Sequence, residues 1–260
     1  MRSLAVGFAL VLAAVPAFTP VASSQRGQQS SVNKAPSAPA PLRDLSGVWF
    51  PKGGGLTQAT QPPFTAWGQQ QFDANRPASG PREDTANTND RYLQCDPPGL
   101  PRIYELPRPL EILNTRDRML IAYETAGTWR EIWTDGRELP KDPDPWWYGH
   151  SVGKWVDDYT FVVESNGFNN KTWLDRPGHP HSDQMHLTER FRRLDHDTMD
   201  VTFTVDDPKA YTKPWVGTPR IYVLKPTWEL EESYCTVEDE SRYFNDVTRP
   251  SALGAAPEKK

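Results

Sequence analysis

The chain beyond residue 109 alternates between short apolar segments and clusters of turn-forming residues. Apolar residues recur at every second position in several segments, as with Met119, Ile121 and Tyr123, which places them on one face of a strand. Joints such as Asp135-Gly136 are typical of hairpin connections. The predicted strands are 110–113, 118–125, 128–133, 151–156, 160–165, 184–194, 199–205 and 220–228. The pattern predicts a mainly β protein in which successive strands pair as an antiparallel meander.

The remaining elements favour a barrel over a sandwich. Segment 45–50 predicts a first strand, and segment 63–75 predicts one short helix with aromatic residues at helical spacing. Sequential hairpins favour closure into a lipocalin-like β-barrel, because closure removes exposed strand edges. The tripeptide Gly47-Val48-Trp49 resembles the Gly-x-Trp that opens lipocalin barrels.

The ends of the chain differ in composition from its middle. Residues 1–23 combine a basic start with an apolar run and small residues, which predicts a signal peptide cleaved after Ser23. Residues 24–43 predict a flexible lead-in, and residues 250–260 a loose tail. The range 44–249 then forms a single β-barrel domain of ordinary size. We therefore expect an exported protein, in the periplasm or outside the cell.

Charge and cysteine content narrow the possible partners. The formal net charge is −5, whereas nucleic-acid binding calls for a basic face, so we expect no nucleic acid partner. No apolar run after the signal peptide is long enough for an integral membrane span. The two cysteines, Cys95 and Cys235, are expected to form a disulfide, because export permits oxidation. The alternative is a pair of free, buried thiols. The oligomeric state stays open.

The segment between residues 146 and 191 concentrates the groups that could carry chemistry. It holds four of the five histidines, among four tryptophans. Histidine changes charge near neutral pH, and aromatic walls with a few polar groups are typical of small-molecule sites. Two parts of this region, 140–149 and 166–183, are long segments rich in Pro, Gly and Asn. Loops of that length in a compact domain are usually functional.

The same region resembles a known group of proteins. The succession runs from Gly149-His150-Ser151-Val152-Gly153 through Thr172-Trp173-Leu174-Asp175, His179-Pro180-His181-Ser182 and Glu189-Arg190-Phe191 to Asp206-Asp207-Pro208 and Tyr211-Thr212-Lys213-Pro214-Trp215. It resembles a family of uncharacterised secreted proteins common in acidobacteria and related soil bacteria. Members usually carry a His after the C-terminal Cys, where this chain has Thr236. The resemblance implies a relationship without implying a reaction.

The strand predicted over residues 184–192 leaves two orientations open. In one, Glu189 faces the core together with Met185, Leu187 and Phe191, where a carboxylate needs a partner or a raised pKa. An Arg or backbone donors could hold it there, or it could act as an acid or base in a cavity. In the other orientation, the His186 face lines a polar barrel interior. The sequence alone does not decide between them.

The catalytic hypothesis uses histidines with carboxylates. His150, His181 or His186 would move a proton, and Asp175 or Glu189 would orient the ring in a lyase, isomerase or hydrolase reaction. A three-histidine metal site is the alternative. His186 and Glu189 are three residues apart and would face opposite sides of a strand, so they would not bind the same metal ion. We therefore expect no metal and no other cofactor.

The binding hypothesis uses the aromatic loops. Trp147, Tyr148 and Trp173 would stack on a ligand, Asn166 would hydrogen-bond to it, and Arg190 would neutralise an anionic group. The first functional prediction is a central cavity for a small, partly apolar molecule, with acid–base catalysis there. The alternatives are a carrier without catalysis and an envelope protein that contacts glycans.

Overall fold

The computed structural model describes residues 38–55 and 59–254 as a mainly β structure. The predicted signal peptide, the lead-in up to residue 37 and the tail beyond residue 254 lie outside the described residues. Ten strands are present in the described part of the chain: β1 (Gly47–Gly55), β2 (Leu110–Asn114), β3 (Arg118–Tyr123), β4 (Thr128–Trp133), β5 (His150–Trp155), β6 (Thr160–Asn166), β7 (His186–Arg193), β8 (Thr198–Asp206), β9 (Trp215–Val216) and β10 (Thr218–Leu224). The predicted strands beyond residue 109 are all found, with their ends shifted by a few residues.

The sheet closes into a barrel, as predicted. Strands β1 to β8 pair in sequence order, and β10 then pairs with both β8 and β1, so that nine strands form a ring. The short β9 pairs with β8 beside this ring. Closure leaves few strand edges unpaired, and unpaired edges are sites where other chains can add.

One neighbouring pair of strands is parallel, which corrects the prediction of a purely antiparallel meander. β4 and β5 run in the same direction and pair at a single position, Trp133 with Val152. Parallel neighbours need a long crossover connection, and residues 134–149 supply it without a helix. The predicted hairpin at Asp135-Gly136 is therefore only a turn within this crossover. The barrel is mixed, and β4 and β5 form its weakest seam.

The apolar face of each strand points into the barrel interior. Met119, Ile121 and Tyr123 are buried, as are Leu187, Glu189 and Phe191 on β7. His186 and Arg190 lie on the opposite, exposed face of β7, which decides the orientation that the sequence left open. Large side chains also occupy the interior, among them Trp49, Tyr104, Phe161 and Phe203.

The predicted N-terminal helix is present and shorter than expected. Helix α1 (Ala66–Ala74) begins after Thr65, whose side-chain oxygen accepts a hydrogen bond from the Gly68 backbone N–H at 3.0 Å. Gly68 allows a close approach, because a Cβ atom there would lie 2.0 Å from the Ala210 carbonyl oxygen. The helix thus packs its Phe72 face against the loop that follows β8.

A helical C-terminal segment was not predicted. It comprises α2 (Val237–Tyr243), a π-helical turn (Phe244–Thr248) and α3 (Arg249–Ala252), so the first residues of the predicted tail are helical. The disulfide between Cys95 and Cys235 is confirmed, and it joins this segment to the loop before β2. Among the described helices, none combines the length and apolar character needed to cross a bilayer.

Candidate functional site

A cleft of about 810 Å³ opens along the seam between β4 and β5. Because these strands pair only at Trp133 and Val152, their earlier residues separate and leave space between them. Four tryptophans and a tyrosine form the walls: Trp129, Trp133, Trp146, Trp147 and Tyr148. The cleft lies at the barrel wall, beside the two strands of this seam, and the central cavity stays a prediction.

The aromatic walls are held in different ways. Trp129 is 60% exposed and Trp146 is 57% exposed, although both rings are large and apolar. The Trp146 ring packs on the His150 ring, with 4.2 Å between the ring centroids. The guanidinium groups of Arg118 and Arg137 lie 4.1 and 3.5 Å from the centroid of the Trp133 ring. Trp129 and Trp146 are therefore the rings most free to stack on a ligand.

The cleft reaches a buried ion pair in the barrel interior. Arg130 lines the cleft, and its two terminal nitrogens donate to the Glu189 carboxylate at 2.9 and 2.8 Å. The side chains of Arg130 and Glu189 are 2% and 0% exposed. Arg130 also donates to the hydroxyl oxygens of Ser151, at 2.7 Å, and Ser165, at 3.2 Å. This bidentate geometry is the arrangement in which a buried ion pair is best compensated.

Two tyrosines extend the buried network. The Tyr123 hydroxyl donates to the Tyr104 oxygen at 2.9 Å, and Arg130 donates to the same oxygen at 3.1 Å. Burial raises the pKa of both phenols well above the usual value. Burial alone lowers the pKa of Arg130, but the adjoining Glu189 carboxylate together with the Tyr104 and Tyr123 phenols outweighs it and holds that pKa above its ordinary value. Arg130 therefore stays charged and the two phenols stay protonated near neutral pH.

A second group of titratable side chains lies in the loop between β6 and β7. The Asp175 carboxylate accepts from His179, at 2.7 Å from Nδ1 and at 3.1 Å from the backbone N–H. The His179 ring stacks on Phe72 at 4.7 Å and contacts Trp215 at 4.8 Å between ring centroids. Asp175 was predicted to orient a catalytic histidine, and the histidine that it holds is His179, which lies outside the predicted site.

His181 is buried and makes two hydrogen bonds in this loop. Its Nε2 lies 2.7 Å from the Thr172 hydroxyl, and its Nδ1 lies 3.1 Å from the Ser182 carbonyl oxygen. Nδ1 therefore carries the proton and Nε2 accepts. Burial lowers the pKa of this imidazole, which favours the neutral ring. Both ring nitrogens are therefore used in hydrogen bonds that stabilise the loop.

We expect His181 to make the protein less stable in acid. Because burial lowers its pKa in the folded state, the unfolded chain binds the proton first as pH falls below the ordinary value of 6.5. The free energy of unfolding should then fall by up to about 1.4 kcal/mol per pH unit until the folded state also protonates. Chemical unfolding of the wild type and of His181→Asn at several pH values measures the difference in slope. His186→Asn is the exposed control, and equal slopes in all three proteins would contradict the assignment.

The structure separates the predicted catalytic residues. His150 lines the cleft, and its Nε2 lies 3.0 Å from the Asp144 carbonyl oxygen. Glu189 lies beneath the cleft, behind Arg130. His181 and Asp175 are buried in the loop between β6 and β7, and His186 is exposed beside Glu164. The three histidines therefore do not converge on one cavity.

The predicted binding residues divide in the same way. Trp147 and Tyr148 line the cleft. Asn166 lies next to it, since it pairs with His150 across the strands and its side-chain amide donates to the Pro140 carbonyl oxygen at 2.8 Å. Trp173 is buried against Arg102 elsewhere in the structure, and Arg190 points outward from β7. Neither of these two belongs to the cleft.

Sequence reasoning missed three residues of this site: Trp129, Trp133 and Arg130. A signal for Arg130 was present, because it shares the inward face of β4 with Ile132. Glu189 is likewise an inward charged residue on another strand. Two buried side chains of opposite charge are best compensated when they pair with each other, so the two inward positions together indicate an ion pair.

Within the described residues, no group of three or more His, Cys, Asp or Glu side chains is arranged to hold a metal ion. Comparisons of the whole chain with protein-family models and with curated proteins find no match, so its relationships rest on the sequence pattern alone.

Proposed function

We propose that this protein binds a small, partly apolar molecule in the cleft between β4 and β5. The observation that carries the proposal is an aromatic cleft of about 810 Å³ in which Trp129 and Trp146 remain largely exposed. That volume lies in the range of small-molecule sites, which are mostly apolar with a few polar groups. Exposed tryptophans at a concave surface are costly in water, and a stacked ligand would cover them.

Binding without catalysis is the function that the arrangement supports best. Acid–base chemistry needs a histidine and the carboxylate that orients it to lie together at the ligand. His181, His186 and Asp175 lie apart from the cleft, which argues against catalysis by these residues. Catalysis by His150 is the second candidate, because it alone of the predicted histidines lines the cleft. If Nε2–H donates to the Asp144 carbonyl oxygen, Nδ1 holds a lone pair that could accept a proton. Mass spectrometry of a copurified ligand before and after incubation with protein tests turnover, and an unchanged ligand would reject it.

We expect Trp129→Ala to weaken ligand binding by about tenfold or more, because loss of a central aromatic contact commonly costs over 1.4 kcal/mol. Titration with the neutral fluorescent probe N-phenylnaphthylamine measures the dissociation constant. Trp228→Ala is the matched control, since Trp228 is also exposed, at 45%, and lies outside the cleft. Equal weakening by both substitutions, or no binding by the wild type, would reject the cleft as the site.

A glycan-binding function would use the same tryptophans. The choice of ligand in a binding experiment distinguishes it from binding of a small apolar molecule. Sugars also stack on exposed aromatic rings, and Trp146 and Trp147 additionally line a second cavity with Asn169, Asn170 and Lys171. Saturation by soluble oligosaccharides, with no displacement by N-phenylnaphthylamine, would favour the glycan alternative.

The proposal includes export, as the sequence predicts. The disulfide between Cys95 and Cys235 supports an oxidising compartment, since such bonds are rare in the cytosol. The relationship to the acidobacterial secreted proteins, the lipocalin-like type of the barrel and the predicted domain limits belong to the same proposal. The N-terminal residue of protein recovered from the periplasm or medium of a bacterial host tests the cleavage after Ser23. Protein that stays in the cytoplasm with residue 1 intact would reject export.

A further inference from the structure

The aromatic walls of the cleft already hold cations of the protein itself. The Arg137 and Arg118 guanidinium groups lie 3.5 and 4.1 Å from the centroid of the Trp133 ring. The Lys171 ammonium nitrogen lies 5.7 Å from the centroid of the Trp147 ring. All three lie within about 6 Å, the range in which a cation is attracted to the face of an aromatic ring. Two of the four lining tryptophans therefore have a cation as a partner.

Trp129 is a lining tryptophan whose ring faces are free. Within the described part of the chain, no cation and no second ring stacks on it, and it is 60% exposed. Its partner across the pair of β3 and β4 is Ala122, whose methyl group cannot cover an indole ring. Trp146, the other exposed ring, packs on His150. Trp129 therefore offers the cleft an unused aromatic face, which attracts a cation.

The charged side chains of the lining leave one carboxylate unpaired. Four of them line the cleft: Arg130, Glu131, Arg137 and Glu138. Three have an ion-pair partner outside the lining: Arg130 with Glu189, Glu131 with Arg118, and Arg137 with Asp135. No ion pair or hydrogen bond joins the exposed Glu138 to any other described residue. With histidine counted as neutral, the cleft and its ion-pair partners therefore carry a surplus of negative charge.

The segment that forms the cleft has the same sign of charge. The crossover over residues 134–149 carries four acidic and two basic side chains: Asp135, Glu138, Asp142 and Asp144 against Arg137 and Lys141. Lys171 lies in the neighbouring cavity, whose lining also holds the Asp183 carboxylate. A carboxylate acts over about 10 Å at an ionic strength of about 0.1 M, so Glu138 influences a ligand in the cleft without touching it. The potential in the cleft therefore favours a cation over an anion.

We propose that the ligand of this cleft is an organic cation, with a substituted ammonium group on a small apolar body. The ammonium group lies on the free face of Trp129, and the apolar body lies against the other aromatic walls. Glu138 supplies the negative potential that selects the charge. Quaternary ammonium groups are recognised by aromatic walls in this way, because the ring faces are negative and the methyl groups are apolar. The inference rests on the proposed binding function and adds the chemical class of the ligand.

Three small probes of nearly the same shape test the charge. Choline carries a quaternary ammonium group, neohexyl alcohol has a carbon atom in place of that nitrogen, and ionised tert-butylacetic acid carries a carboxylate. Displacement of N-phenylnaphthylamine from the disulfide-bonded protein at constant ionic strength gives the three dissociation constants. We expect choline to bind about tenfold more tightly than neohexyl alcohol, since a cation gains more than a neutral group on a desolvated ring, and the carboxylate to bind most weakly.

The outcomes distinguish failure of this inference from failure of the binding function. If N-phenylnaphthylamine binds and choline binds no more tightly than neohexyl alcohol, the ligand class is overturned and the cleft remains a binding site. Tightest binding of the carboxylate overturns the ligand class as well. If N-phenylnaphthylamine does not bind to the wild type, both proposals are overturned.

Trp129→Leu tests the ring, because leucine keeps an apolar side chain and removes the aromatic face. We expect the preference for choline over neohexyl alcohol to fall about fivefold. Trp228→Leu is the control, since Trp228 is 45% exposed and lies outside the cleft. An unchanged preference in Trp129→Leu, or an equal fall in both variants, would overturn the proposal.

Glu138→Gln tests the carboxylate, because it removes the charge and keeps the shape of the side chain. We expect the preference for choline to fall about two- to fivefold and the affinity for neohexyl alcohol to stay unchanged. Added salt should lower the preference of the wild type and have less effect on the variant. Glu229→Gln is the control, since Glu229 is also exposed and lies outside the cleft. A preference that Glu138→Gln leaves unchanged would contradict the surplus carboxylate as its source and overturn the proposal.

Discussion

Arg130→Met should lower the free energy of unfolding by about 3 to 5 kcal/mol, because it leaves the buried Glu189 carboxyl group without its ion-pair partner. The Glu189 side chain is 0% exposed, so water cannot take the place of the guanidinium without local unfolding. The same substitution also removes the donors that Ser151, Ser165 and Tyr104 now share. Chemical unfolding followed by tryptophan fluorescence measures the loss.

The double variant Arg130→Met/Glu189→Leu isolates the cause. It removes both charges at once and puts apolar side chains of similar size in their place, so we expect it to recover most of the lost stability. Arg118→Met is a matched control, since Arg118 pairs with Glu131 at 3.0 Å on the neighbouring strands and both side chains are about a third exposed. That substitution should cost less than about 1 kcal/mol. Equal losses at Arg118 and Arg130, or a double variant as unstable as the single one, would contradict a role for buried charge.

Replacing both cysteines by Ser should lower the free energy of unfolding by about 2 to 5 kcal/mol. The disulfide joins residues that are 140 positions apart, so it restricts the unfolded chain over most of its length. It is also the covalent link between the C-terminal helices and the loop before β2. We therefore expect early proteolysis within residues 237–252 of the variant, before cleavage of the barrel.

Reduction of the wild type provides the control for this variant. A reducing agent should lower the stability of the wild type to that of the double Ser variant and should leave the variant itself unchanged. Unfolding curves at matched pH with and without the reductant measure both effects. A wild type whose stability does not respond to complete reduction, verified by thiol titration, would show that the bridge stabilises little.

Local sequence pattern predicted the strands well, because each barrel strand has one face in the interior. Met199, Val201 and Phe203 alternate with more exposed residues on β8, and all three are buried. The strand predicted over Gln184 to Arg192 shows the limit of this reasoning, since an alternating pattern identifies two faces without saying which one is inside. The interior position of Glu189 depends on Arg130, which lies 59 residues earlier in the chain and contributes no local signal.

The same limit explains the error at the seam. The Asp135-Gly136 turn has the composition of a hairpin, yet the two strands that flank it in sequence run parallel. Strand direction was set by the whole crossover, residues 134–149, whose path depends on contacts such as Trp146 with Gly167 and Asn169. The cleft results from this crossover, so a purely antiparallel prediction could not locate it. Trp147, Tyr148 and His150 were identified because aromatic residues concentrate there.

The pairing of β10 with both β1 and β8 bears on how the protein acquires its structure. Trp49 on β1 pairs with Leu224 on β10, so the ring lacks one of its strands until residues up to 224 have been synthesised. Contacts that join distant parts of a chain form slowly, because a long loop must first be closed. Before β10 is in place, β1 and β8 each expose an unpaired edge to which other chains can add. Newly made molecules therefore pass through a stage in which self-association competes with folding, and insertion of a single late strand ends it.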